Sequence, residues 1–112
     1  MKLLRQLELS DKEFKKLLIE SYTETRHFDL VKLIKGSTIE SVHGIDHKNN
    51  TVINFTKTAP VEDEVLSFLI TASEDTIKKL VLKAVGKLGV ENLKIRSLKS
   101  WGDITVTFWE EK

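Results

Sequence analysis

The sequence predicts an α+β domain. It reads as a two-layer sandwich in which a mainly antiparallel sheet of about six strands carries two or three helices on one face. Three observations lead there. Several segments place apolar residues at period two, as in Leu3, Leu7 and Leu9. Two segments repeat apolar residues at helical spacing behind a serine cap. Two pairs of strand-like segments flank short polar or glycine-bearing turns, which makes hairpins.

Residues 2–9 read as a strand whose apolar face is interrupted by Arg5. Ser10-Asp11-Lys12-Glu13 fits a capping box, and Phe14, Leu17, Leu18 and Tyr22 make the stripe of the helix behind it. Phe28 to Ile34 is a second apolar run that stops at Lys35-Gly36. It reads as a short helix, with a strand as the alternative. Strands around 38–45 and 51–58 form a hairpin about the polar turn at 46–50. Ala59-Pro60 breaks the chain at its only proline. In residues 64–72, Leu66, Phe68 and Ile70 share one face, and Val65 and Leu69 the other. That pattern predicts a central strand buried on both sides.

Ser73-Glu74-Asp75 caps the next helix. Its stripe of Ile77, Leu80, Val81, Ala84, Val85 and Leu88 is expected to end at Gly89. A second hairpin, 92–99 and 103–110 around Ser100-Trp101-Gly102, closes the chain. Strand, helix, strand, strand thus occurs twice. LELSDKEFKKLLIES aligns with LITASEDTIKKLVLKA, apolar to apolar and cap to cap. The reading is a single domain over 1–112 built as a duplicated βαββ unit, with halves 1–58 and 61–112. The element order resembles that of ferredoxin-like folds and of bacterial effector-binding domains. The resemblance is in element order alone, and no residue is carried over from either.

At 112 residues, 40% hydrophobic and 31% charged, the composition suits one globular domain. The absence of cysteine excludes disulfides, thiolate zinc sites, iron–sulfur clusters and cysteine nucleophiles. Eighteen basic residues against seventeen acidic ones set up no global field toward nucleic acid or a membrane. No apolar run approaches the ~20 residues of a membrane-spanning helix. Met1-Lys2-Leu3-Leu4-Arg5 lacks the apolar core of a signal peptide, so a cytoplasmic location is expected. Lysine and glutamate dominate the charged residues. Such a bias fits either a heat-loving source or a genome-wide compositional preference.

Three constellations could carry chemistry. His43, Asp46 and His47 supply zinc- or iron-type ligands within five residues, with His27 as a third histidine. In an extended strand His43 and His47 lie about 13 Å apart, so a metal site needs the chain to curl at Ile45-Asp46. The competing reading is a pair of histidines on a wet turn. Lys79, Lys83 and Lys87 recur every four residues beside Lys78. With Lys94, Arg96 and Trp101 they offer a phosphate-tracking row and a stacking surface. Lysines on the outer face of an amphipathic helix are the ordinary alternative, and arginine is scarce. Glu62, Asp63 and Glu64 form an acidic run that reads as a solvated loop rather than a magnesium site. The five glycines are dispersed, so there is no phosphate loop, and no nucleophile elbow is present.

The last strand places Thr105, Thr107 and Trp109 on the face opposite Ile104, Val106 and Phe108. Thr38, Glu40, Val42, Val52, Asn54 and Thr56 fall on the corresponding face of the first hairpin. This mixed polar and β-branched surface suits a sheet face that is wet or packs on another copy. Phe14, Phe28, Phe55 and Phe68 are expected to fill the core rather than line a ligand cavity. The expected function is a non-catalytic binding or assembly module, working through its sheet face as a homodimer and without a cofactor. The alternatives are nucleic-acid binding by the lysine face and a metal-dependent enzyme at the histidines.

Overall fold

Two serines start the two long helices in the same way. Ser10 and Ser73 hold nearly identical extended conformations, φ/ψ −68/160° and −69/161°. Each hydroxyl accepts the amide three residues on, Glu13 in one case and Thr76 in the other. The Glu13 carboxylate accepts from the Ser10 hydroxyl rather than from its amide, so the capping box closes through side chains. The computed structural model describes residues 2–45, 50–58, 65–86, 93–101 and 103–111.

The elements run β1 (Lys2–Leu9), α1 (Asp11–Glu24), α2 (Phe28–Lys35), β2 (Thr38–Ile45) and β3 (Thr51–Thr58). They continue as β4 (Val65–Ala72), α3 (Glu74–Val85), β5 (Leu93–Trp101) and β6 (Asp103–Glu111). The run at 28–35 is a helix. Its last carbonyl, that of Lys35, and the carbonyl of Ser37 beyond it accept from the Lys15 ammonium at 3.3 and 2.6 Å. α1 ends in a Schellman turn. The His27 amide donates to the Tyr22 carbonyl and the Arg26 amide to that of Thr23, with Arg26 left-handed at φ 60°. α3 ends earlier than expected, at Gly86. There φ is +93°, a conformation that side chains rarely adopt. Leu88 and Gly89 lie outside the described residues.

The α+β class stands, but the strands do not form one sheet. They form two antiparallel three-stranded sheets, β1-β6-β5 and β2-β3-β4, which meet where β2 packs beside β5. The cause is local. Each of the two meeting strands is irregular, with a register shift between Ile39 and Ser41 in β2 and between Ile95 and Ser97 in β5. An extra residue bends a strand and interrupts its ladder, so the two inner edges do not zip together.

Exchanging β1-β2-β3 with β4-β5-β6 maps one sheet onto the other, and the correspondence reaches single residues. Ile39, Phe55 and Phe68 lie side by side in one sheet, as do Ile95, Phe108 and Arg5 in the other. Val42, Ile53 and Ile70 match Leu98, Val106 and Leu7 in the same way. Each half lends its first strand to the other half's sheet, so the halves interlock.

One core joins both sheets to the helices. Phe14, Leu18 and Ile34 from α1 and α2 meet Ile77, Leu80 and Val81 from α3 over Phe55, Ile53, Val106 and Phe108. Phe68 stacks on Phe55 at 5.2 Å. Phe28, expected inside, is 60% exposed because it opens α2 on the solvent side. β4 was expected to be central and is instead an edge strand. Among the described residues its ladder partner is β3 alone, and Leu66 is 50% and Leu69 62% exposed.

Candidate functional site

Among the described residues, the helices cover one face of the sheets and leave the other open. Strand alternation sends Ile104, Val106 and Phe108 inward and Thr105, Thr107 and Trp109 outward, where all three are half-buried. Leu4 pairs with Trp109 and Gln6 with Thr107, so β1 continues that outer surface.

On the other sheet the β2 bulge changes which residues face out. Val42, expected on the open face, is 3% exposed in the core, because the extra residue switches the alternation. Ser41 and His43 replace it. The Asn54 amide nitrogen donates to the Ser41 hydroxyl at 2.9 Å, and that hydroxyl lies 3.3 Å from His43 Nε2. A short polar chain therefore crosses from β3 to β2 on the uncovered side. Val52 and Thr56 sit half-buried beside it, and Thr38 and Glu40 are exposed.

The histidines do not converge. His43 is exposed on β2, while Asp46 and His47 lie outside the described residues. His27 ends the turn after α1, with Nδ1 2.7 Å from the Thr25 hydroxyl and its ring edge-on to Tyr22. No group of three or more His, Asp or Glu side chains is placed to hold a metal among the described residues. The acidic run Glu62-Asp63-Glu64 lies outside them as well.

The lysine row on α3 is partly neutralised. Lys83 pairs with Glu24 of α1, and Lys78 with Glu74 at 3.3 Å. The acid that meets Lys83 arrives from another helix, so spacing within α3 does not show it. Lys79 is exposed. Lys87 lies outside the described residues, as do the side chains of Lys94, Arg96 and Trp101 on β5. A solvent-open cleft of about 370 Å³ separates α1, α3 and β1. Glu8, Glu13, Glu20, Lys16 and Lys83 give it walls of mixed charge over Leu7, Leu9 and Leu17.

Sequence spacing does not show one pair: Arg5 lies 2.7 Å from Glu110 across the β1–β6 ladder. The signal was Arg5 itself, a charge on a core-facing position that calls for a counter-ion.

The chain matches no protein-family model, no curated protein and no solved structure.

Proposed function

We propose that this chain is a small non-catalytic binding or assembly module, assembled from two βαββ units, that acts through its open sheet face and forms a homodimer. One observation carries the reading: among the described residues, both sheets bury one face under the helices and leave the other uncovered. The residues of that second face are neither a charged, fully solvated array nor a core. Thr105, Thr107 and Trp109 on one sheet and Ser41, Asn54 and Val52 on the other are half-buried, and such surfaces suit contact with another macromolecule. The lysine face of α3 supports nucleic-acid binding less well, since two of its ammonium groups already meet carboxylates.

Native mass spectrometry and sedimentation velocity of the untagged chain test the assembly. A dimer at micromolar concentration is expected. A monomer at every concentration overturns the homodimer. Added mass in nucleotide-sized steps turns the assignment toward the lysine face, and one or two metal ions toward His43.

A further inference from the structure

Among the described residues β1 and β4 are the outer sheet edges, and the pseudo-symmetry makes them equivalent positions. An open edge presents unpaired backbone N–H and C=O groups that template another strand. Proteins normally blunt such edges with charge, proline or bulges. β1 follows that rule, with Lys2, Arg5 and Glu8 among its eight residues. β4 does not. Its sequence, VLSFLITA, carries no charge and no proline, and its register to β3 runs without a bulge. It also exposes two leucines, Leu66 and Leu69, one on each face. The strand has the composition of one buried between neighbours, yet among the described residues it has a neighbour on one side only.

From this we infer that β4 is the seam of the homodimer, pairing antiparallel with β4 of a second copy. The inference rests on the homodimer proposed above: it places the dimer seam at a sheet edge and leaves the open face as the surface for a partner. A second copy fits better than a charged peptide, because a neutral strand meets itself without like-charge repulsion, which the charged β1 edge would not. A two-fold axis perpendicular to the sheet preserves the inner and outer faces of both copies. Centred on Leu69, it sets that side chain opposite Leu69 of the partner subunit, in an isologous contact. The sheet β2-β3-β4 then continues through the partner into six strands, with the helices of both copies on one side. The open faces of those two sheets become one continuous surface.

The test combines sedimentation equilibrium with amide hydrogen exchange on the full chain. Leu69→Lys replaces an exposed side chain, so the monomer fold is retained, and it places like charges across the axis. It is expected to raise the dimer dissociation constant by at least about tenfold. Gln6→Lys on the β1 edge and Trp109→Glu on the open face are expected to leave that constant within about threefold. In the wild-type dimer, the alternate β4 amides that point away from β3 become protected as concentration rises. A dimer that withstands Leu69→Lys but dissociates with Trp109→Glu overturns the edge and leaves the homodimer standing. Concentration-independent exchange at those amides overturns the edge as well. A wild-type chain that is monomeric throughout overturns both.

Discussion

The Arg5 guanidinium lies 2.7 Å from the Glu110 carboxylate and 5.9 Å from the centre of the Phe108 ring. The two halves of the pair are unequal. Glu110 has 7% of its side chain exposed, and Arg5 47%. Removing Arg5 therefore leaves a largely buried carboxylate without its partner. Arg5→Ala is expected to lower stability by about 2 kcal/mol, between the values for exposed and for fully buried pairs. Arg5→Ala combined with Glu110→Gln should recover part of that loss, because the second change removes the stranded charge. Urea unfolding of the two single variants and the double variant measures the coupling. Strict additivity would mean that the contact carries no energy.

Arg26 takes the left-handed position of the Schellman turn at φ 60°, where most helices place glycine. A side chain there costs about 1 kcal/mol. Arg26→Gly should therefore raise the urea midpoint by the equivalent of about 1 kcal/mol, less glycine's extra freedom in the unfolded chain. A lowered midpoint would show that the arginine side chain holds the turn.

The Thr51 hydroxyl is buried and finds no hydrogen-bond partner among the described residues. A buried unpaired hydroxyl costs about 1 kcal/mol or more. Thr51→Val keeps the branched shape and the strand preference while removing the oxygen. Thermal unfolding should show a higher midpoint for the valine variant, and a lower one would reveal a partner for the hydroxyl.

Burial raises the Tyr22 phenol above its ordinary value of 10.0. Unfolded chains lose that proton near pH 10 while folded ones keep it. The folded state then binds more protons, so stability is full below about pH 10 and falls as the pH rises through the folded value. Tyr22→Phe should remove this part of the alkaline slope. Tyr22 is the only tyrosine, so the alkaline absorbance of the folded chain reads it directly. Ionisation at the ordinary value would contradict its burial.

What could be read in advance was local. Ser10 and Ser73 announced both long helices, and Phe14, Leu18, Ile77 and Leu80 announced the faces they bury. The splitting of the sheet was not legible, because a bulge at Ile39–Ser41 leaves no distinct composition, yet it moved Val42 inward and Ser41 outward. Nor was the edge position of β4, since apolar residues on both faces describe a strand and not its neighbours. Contacts between elements were hidden for the same reason. Glu24 reaches Lys83 and Glu110 reaches Arg5 across distances that no spacing rule spans.

The interlocking of the halves also governs how the chain acquires its shape. β2, β3 and β4 are consecutive and can pair as soon as they exist, whereas β1 must wait for a partner 105 positions downstream. Contacts so distant in sequence slow folding, because a long loop must close before they form. The sheet β2-β3-β4 is therefore the expected nucleus, and docking of β1 onto β6 the late step. Until then the helices have only half of their floor.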